Sequence, residues 1–299
     1  MNKPIRCFAL LLNLFMSLAP AQASQSLNIY TVNYPLAYFA ERIAGDQAVV
    51  VFPAPSDVDP AFWQPGPETI RAYQQADLIL LNGAGYAKWV ARTSLPMLRT
   101  INTSRAFGDQ LIKSTAGISH SHGSGEAHSH AGTAFTTWLD MSLAIKQAGA
   151  IADALKRKRP QQSTLFEKNL RELEGELLQL DKQIKNLVDK QSSLPLLASH
   201  PVYQYLARRY QLNLLSLMWE PEEFPDTVQW KKLKNSLLTH PANWMIWEAE
   251  PNSETVAQLK GLSINSLVYN PLANRPGSGD FISVMQVNLR NLRKAFGRP

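Results

Sequence analysis

One apolar stripe, between residues 159 and 190, constrains the fold of this chain more than any other feature. Its members recur every three or four residues: Phe166, Leu170, Leu173, Leu177, Leu180, Ile184 and Leu187. That spacing places them along one face of a helix of about six turns, with Glu and Lys on the other faces. Such a stripe is typical of a coiled-coil dimer, or of one helix that packs along two neighbouring domains.

Short strand-like runs alternate with helical patterns on both sides of the stripe, which favours the second interpretation. Strands are predicted at residues 27–32, 49–52, 78–81 and 98–101, and again at 194–198, 212–217, 244–247 and 266–269. Helical patterns are predicted at 36–44, 67–76, 202–210, 226–238, 253–260 and 280–296. This alternation predicts an α/β fold: two pseudo-symmetric lobes, each with a four-stranded, mainly parallel sheet flanked by helices, joined by one long rigid helix.

The predicted boundaries follow from these patterns. We expect a signal peptide at residues 1–23, a first lobe at 24–158, the connecting helix at 159–190 and a second lobe at 191–299. Ligands of open α/β sheets bind at the carboxyl ends of the strands, so the cleft between the lobes is the expected binding site.

The amino-terminal segment has the parts of a secretory signal peptide. A basic start precedes an apolar run from Phe8 to Ala19, and Ala21-Gln22-Ala23 suits signal peptidase. A membrane anchor is the alternative, but the run is short for a permanent span. Cys7 is the only cysteine, so disulfides and cysteine-ligated metal sites are excluded from the mature protein. We expect export to a bacterial periplasm.

A Ser-, Gly- and His-rich segment at residues 115–134 interrupts the alternation and is predicted to be a flexible surface insertion. It contains four of the six histidines: His120, His122, His128 and His130. Residues two apart in an extended chain point the same way, so each His-x-His pair can present two imidazoles to one cation. The segment therefore suits zinc, copper or nickel, although a solvated low-complexity loop is the alternative.

Other chemistry finds little support. The sequence has no Gly-rich phosphate loop, no Gly-x-Ser-x-Gly elbow and no His-Glu-x-x-His helix, so an enzyme is not expected. The formal charge of +6 is not gathered into a basic stripe with aromatics, so nucleic-acid binding is not expected either. No segment after the amino terminus has 18 uninterrupted apolar residues, and the mature chain is not expected to span a membrane.

An ordered set of local strings resembles the periplasmic solute-binding proteins of zinc and manganese ABC importers. They are Asp59-Pro60-Ala61-Phe62-Trp63-Gln64-Pro65, Ala76-Asp77-Leu78-Ile79 with Asn82-Gly83, Trp138-Leu139-Asp140, Ser199-His200-Pro201-Val202-Tyr203, Arg208-Arg209-Tyr210, Asn270-Pro271-Leu272 and Gly279-Asp280. The resemblance covers essentially the whole mature chain. It implies two lobes joined by a long helix, one metal held between them, and delivery of that metal to a membrane permease.

The metal site that the resemblance implies is only partly present. Zinc-binding relatives have histidines where this chain has Ala61 and Thr136, and commonly a carboxylate where it has Asn270; only His200 is retained. Alanine donates nothing, and neutral oxygens are poor zinc ligands. Central zinc binding is therefore expected to be weak unless nearby acids contribute. The candidates are Asp57, Asp59, Asp140, Glu222 and Glu223, which could instead be caps or solvated loop charges.

The leading hypothesis is the binding component of a zinc-type ABC importer. The His-rich insertion would capture zinc, or another divalent transition metal, and pass it toward His200, with an inner-membrane ABC permease as partner and a monomer as the functional form. Two alternatives remain open: a relative that binds a metal complex or small organic solute, and a periplasmic zinc chaperone or sensor. His200 could also be only a hydrogen-bonded histidine at a strand end.

Overall fold

The computed structural model describes residues 26–114, 119–120, 128–129, 132–189, 191 and 193–297. The predicted signal peptide, His122 and His130 lie outside these residues. Among the helices that the structure does describe, none is both long and apolar enough to cross a bilayer.

The first lobe is built on a four-stranded parallel sheet with the order β2-β1-β3-β4. Its strands are β1 (Leu27–Thr31), β2 (Ala48–Val51), β3 (Leu78–Leu81) and β4 (Thr100–Asn102). Three helices belong to this lobe: α1 (Tyr34–Ala44), α2 (Pro67–Gln75) and α3 (Met141–Lys158). The four predicted strands are all present, shifted by at most two residues at either end.

Helix α3 is the largest element that the sequence analysis missed. Asp140 caps its amino terminus, where the carboxylate accepts hydrogen bonds from the backbone N–H groups of Ser142 and Leu143. Buried residues then recur at Leu143, Ala144, Ala148, Ile151, Ala152 and Leu155. Small alanines make up much of this stripe, and they are less conspicuous than the leucines further along. The cap and the three-and-four spacing were the signals that could have identified it.

The insertion between β4 and α3 has two short antiparallel ladders where it is described. Strand β5 (Lys113–Ser114) pairs with β8 (Gly132–Thr133), and β6 (Ser119–His120) pairs with β7 (His128–Ser129). None of these strands was predicted, because two-residue strands carry no periodicity.

Helix α4 (Ser163–Val188) is the predicted connector and is 26 residues long. Phe166, Leu173, Leu177, Leu180 and Ile184 of its stripe are buried. It packs against α1 and α3 of the first lobe, and against α5 and α8 of the second, whose bounds are given below. The stripe is thus covered within one chain, as expected for a helix shared by two domains.

The second lobe repeats the sheet of the first, with the parallel order β10-β9-β11-β12. Its strands are β9 (Pro195–Ala198), β10 (Asn213–Ser216), β11 (Trp244–Trp247) and β12 (Asn265–Val268). Its helices are α5 (Gln204–Tyr210), α6 (Thr227–Leu237), α7 (Ser253–Gly261) and α8 (Phe281–Phe296). The predicted α/β architecture of two similar lobes around one long helix is confirmed.

An ion pair fastens α4 to each lobe. The guanidinium of Arg42, on α1, binds both carboxylate oxygens of Glu176 at 2.7 Å. Toward the other end, Arg209 on α5 binds Asp181 through two bonds of 2.9 and 2.6 Å, and the hydroxyl of Tyr210 donates to the same carboxylate. The Asp181 side chain is 13% exposed and that of Glu176 39%, so the second-lobe pair is the better shielded from solvent.

Candidate metal centre

Three ligand-type side chains meet at one edge of the second-lobe sheet. His200 follows β9, Glu220 follows β10 and Glu248 follows β11 directly. Parallel strands end on the same side of a sheet, so residues distant in sequence converge there. One ligand atom from each of the three lies within 4.8 Å of the other two.

The distances in this cluster suit a cation. The Nδ1 atom of His200 lies 3.4 Å from Oε1 of Glu220 and 4.0 Å from Oε1 of Glu248. Two ligands of a tetrahedral zinc ion are separated by about 3.4 Å, given zinc–ligand bonds of about 2.0–2.1 Å. Two carboxylates would also offset the charge of a dication, whose burial would otherwise be costly. The His200 and Glu220 side chains are 2% and 9% exposed, and that of Glu248 is 23% exposed.

Backbone hydrogen bonds beyond the strands hold the loops that carry these ligands. The N–H of Ser199 donates to the carbonyl of Ile246 at 2.8 Å, and the N–H of Trp219 donates to the carbonyl of Ser199 at 2.8 Å. The sheet pairing is therefore extended to the residues just before His200 and Glu220.

An aromatic cluster lies behind the two acids. Trp219 and Trp247, each the residue immediately before one of the glutamates, have ring centroids 6.3 Å apart. Trp230 on α6 packs edge-on against Trp219 at 4.8 Å. These large, buried rings restrict the backbone next to both carboxylates, so the donors are pre-organised for a ligand.

A buried tyrosine lies close to the donors. The hydroxyl of Tyr203 donates to the carbonyl of Tyr269 at 2.7 Å. Burial, and then the negative charge of Glu248, raise the pKa of Tyr203 well above its ordinary value. This tyrosine is therefore a neutral hydrogen-bond donor at physiological pH.

The opposite wall of the cleft, from the first lobe, adds no histidine or carboxylate to the three-residue cluster. Its two acids, Asp57 and Asp59, line the cleft as exposed side chains, and Oδ1 of Asp59 accepts the backbone N–H of Ala61 at 2.8 Å. The Thr136 hydroxyl donates to the carbonyl of Val202 at 2.5 Å. Aromatic side chains line this wall as well: Phe62, Trp63 and Phe135. Phe62 packs edge-on against Phe135, which in turn packs against Tyr86.

Asn270 lines the cleft, and its polar atoms form hydrogen bonds within the protein. Its side-chain oxygen accepts the N–H of Leu272 at 2.7 Å. Its backbone N–H donates to Oδ1 of Asn288 at 2.9 Å, and its carbonyl accepts from Nδ2 of the same residue at 2.8 Å. The side-chain oxygen suggested as a weak ligand is thus engaged by the backbone of Leu272.

The acids proposed from sequence as metal ligands do not belong to the three-residue cluster. Asp57, Asp59 and Glu222 line the cleft but are exposed, and none of them joins the cluster; Glu223 is exposed as well. Asp140 is the cap of α3 and forms ion pairs with Arg208 and Arg209, both at 3.7 Å. Among the proposed histidines and acids whose side chains the structure describes, only His200 belongs to the cluster.

Glu220 and Glu248 are the residues that the sequence analysis missed. Each follows a tryptophan at the carboxyl end of a second-lobe strand. The rule that α/β ligands bind at strand ends, applied strand by strand, was the signal that could have identified them.

The ends of the His-rich insertion are bonded to α5 of the second lobe, the helix that follows the segment carrying His200. The hydroxyl of Tyr205, on α5, accepts the N–H of Ile112 at 3.1 Å and donates to the carbonyl of Ala134 at 3.0 Å. These two residues flank the β5–β8 ladder. Within the insertion, the backbones of His120 and His128 are directly paired.

The cleft between the two walls has a volume of about 790 Å³. It is lined by residues 56–60 and 62–64 and by Phe135 and Thr136 from the first lobe, and by His200, Glu220, Glu248 and Asn270 among others from the second. This volume is typical of sites for small organic ligands.

Comparison with known proteins agrees with this architecture. The family model for ZnuA, the periplasmic component A of a zinc-uptake complex, matches residues 29–295. The chain is 27% identical over 285 residues to the high-affinity zinc uptake system protein ZnuA of Bacillus subtilis, covering 89% of this chain and 86% of that protein. It is 22% identical over 317 residues to the zinc-binding protein AdcA of Streptococcus pyogenes, covering 98% of this chain but 61% of AdcA.

The fold agrees with a solved structure of the same kind. The metal-dependent lipoprotein YcdH of Bacillus subtilis superimposes with a TM-score of 0.78 at 23% identity, over 91% of this chain and 99% of that one. Because the family model spans nearly all of the described residues, the chain belongs to the family of the periplasmic zinc-uptake component ZnuA.

Proposed function

We propose that this chain is the binding component of a metal ABC importer, which takes up a divalent transition metal, zinc first, in the cleft and delivers it to a membrane permease. One observation carries the proposal: His200, Glu220 and Glu248 converge at the strand ends of the second lobe, with ligand atoms within 4.8 Å of each other. One imidazole and two carboxylates form a donor set that zinc accepts, and it leaves a coordination position open.

The His-rich insertion is proposed to act upstream of this cluster. Its imidazoles would collect the metal at low selectivity, and the tie between Tyr205 and the ends of the insertion keeps its base beside the segment that carries His200. Capture by the insertion would thus be followed by transfer over a short distance into the cleft.

The remaining features of the proposed role follow from the sequence. The chain would be exported by cleavage after Ala23, would work in the periplasm as a monomer, and would bind and deliver metal without catalysing a reaction. Mass spectrometry of protein recovered from a periplasmic extract tests the cleavage site.

A zinc titration by calorimetry tests whether Glu220 and Glu248 bind zinc in the cleft. The exported form, residues 24–299, would be compared with the variant Glu220→Gln/Glu248→Gln, which keeps the side-chain shapes and removes both charges. Zinc affinity at the high-affinity site is expected to fall at least about 100-fold, since even groups that only support a metal ligand change affinity 10–100-fold. Glu223→Gln/Glu254→Gln is the matched control because both residues are exposed and neither is among the residues that line the cleft, and it is expected to keep wild-type zinc affinity. Equal affinity in all three proteins would contradict the proposed site.

Deletion of residues 118–131 tests the insertion separately. The weaker zinc sites are expected to disappear from the titration while the cleft site remains. If neither stoichiometry nor affinity changes, the proposed capture role is wrong.

A further inference from the structure

We infer that the cleft binds its metal as a chelate, in which a small organic ligand completes the coordination and packs against the first-lobe wall. The inference rests on the proposed function, because it takes His200, Glu220 and Glu248 as the protein ligands. It adds the chemical class of the cargo: a divalent metal carrying a compact chelator with amine and carboxylate donors.

The first argument is the one-sided placement of the donors. All three belong to the second lobe, and among the described residues no histidine, cysteine or acid of the first lobe belongs to the cluster. Position 61 is a buried alanine, and the hydroxyl of Thr136 donates to a backbone carbonyl. A zinc ion held by three protein atoms keeps at least one coordination position open, which a donor atom of a chelator can fill.

The second argument is space. A water molecule occupies about 30 Å³ in the liquid, so an ion with a few waters would take up a small part of the roughly 790 Å³ cleft. Clefts of about 300–1,000 Å³ are the usual size for small organic ligands. The volume therefore fits a metal complex better than a single ion.

The third argument is the chemistry of the facing wall. Phe62, Trp63 and Phe135 are only half-buried and line the cleft. Aromatic surface gains little from a hydrated ion, whereas burying it against the carbon skeleton of a chelator is favourable in proportion to the area removed from water. The wall thus has groups suited to an organic partner at the place where a bare-ion site would need donors.

The fourth argument concerns how a bound ligand can change the conformation of the protein. A ligand shifts a conformational equilibrium only through contacts that differ between the two states. A lone ion on His200, Glu220 and Glu248 would be held by residues of one lobe. A chelate that contacts Phe62 and Phe135 as well would touch both walls, so it would bias small adjustments of the loops on each of them.

Native mass spectrometry and calorimetry on the exported form test the inference with three probes: zinc alone, zinc with iminodiacetate, and zinc with histidine. A ternary mass of protein, zinc and chelator is expected, with the chelated metal bound at least tenfold more tightly than zinc alone. Phe135→Ala is expected to weaken the chelate about tenfold and to leave zinc alone unchanged. Phe62→Ala is a second variant in case Phe135→Ala perturbs folding.

Leu98→Ala is the matched control. Leu98 is a 93% exposed apolar side chain of the first lobe and is not among the residues that line the cleft, so the affinities for zinc and for the chelate should both stay unchanged.

The outcomes separate the two proposals. If both chelators strip zinc from the protein and no ternary mass is found, the chelate inference is overturned and the metal site stands. A ternary complex with the same affinity in both wall variants would also overturn it. If the protein binds zinc neither alone nor chelated, the proposed function itself fails.

Discussion

The two walls of the cleft are built on the same sheet order but differ in chemistry. The second-lobe wall places an imidazole and two carboxylates at its strand ends, whereas the first-lobe wall presents Phe62, Trp63 and Phe135 with the exposed Asp57 and Asp59. Strand order alone therefore does not decide where clustered donors occur. The loop residues do, and the three clustered donors all lie on one wall of a pseudo-symmetric scaffold.

The largest expected effect is the difference in zinc affinity between two variants, one on each wall of the cleft. His200→Ala should lower zinc affinity at least about 100-fold, while Thr136→Ala, on the opposite wall, should leave it unchanged because the Thr136 hydroxyl donates to a backbone carbonyl. Calorimetric zinc titrations compare the two variants. Comparable losses would mean that the walls share the metal, contrary to the asymmetry described here.

Adding a metal ligand to the first-lobe wall should make the distribution of donors across the cleft more even. Thr136→His places an imidazole at a cleft-lining position where zinc-binding relatives are expected to have one. We expect zinc alone to bind on the order of tenfold more tightly, which corresponds to about 1.4 kcal/mol, and chelated zinc to bind more weakly as the fourth donor competes. Thr137→His is the control. It lies one residue away at a fully buried position, and it should not increase the affinity for zinc.

The attachments of α4 to the two lobes should differ in strength. Asp181→Asn should lower the free energy of unfolding by about 1–3 kcal/mol, because it weakens the pair with Arg209 and the bond from Tyr210 in a well-shielded location. Glu176→Gln should cost about 0.5 kcal/mol, since that pair is about one-third exposed. Urea denaturation measures both. A larger loss for Glu176→Gln would reverse the ranking.

The most local effect is expected at the base of the insertion. Tyr205→Phe removes the hydroxyl that bonds Ile112 and Ala134 and should cost about 1 kcal/mol locally. Hydrogen exchange should become faster at the amide of Ile112 while the amides of the β9–β11 pairing stay protected. Unchanged exchange at Ile112 would show that the ladder, not the tyrosine, holds the base.

Much of the fold could be predicted from local patterns. The spacing of the leucines in α4 and the alternation of short strands with helices depend on neighbours in sequence, and they predicted two sheets and a connector. Helix α3 was missed because its buried face is largely alanine, and small residues give a weak periodic signal.

The site was less accessible to sequence analysis, for a different physical reason. His200, Glu220 and Glu248 are separated by about twenty residues or more, and only the parallel order of the second sheet brings their strand ends together. The resemblance to zinc and manganese binding proteins drew attention to Ala61, Thr136 and Asn270 instead, whereas the acids that face His200 occupy loops for which the resemblance implied no ligand.

The single helix that runs along both lobes also has a kinetic consequence. At 26 residues it is about 39 Å long, and a wide hinge motion would pull Leu173 or Leu177 away from its packing partners and expose them to water. The metal cargo should therefore enter and leave the cleft through small adjustments of the loops at its opening. The residence time of the cargo would then be governed by how quickly its coordination bonds exchange, and the docked permease could hasten release by supplying competing ligands.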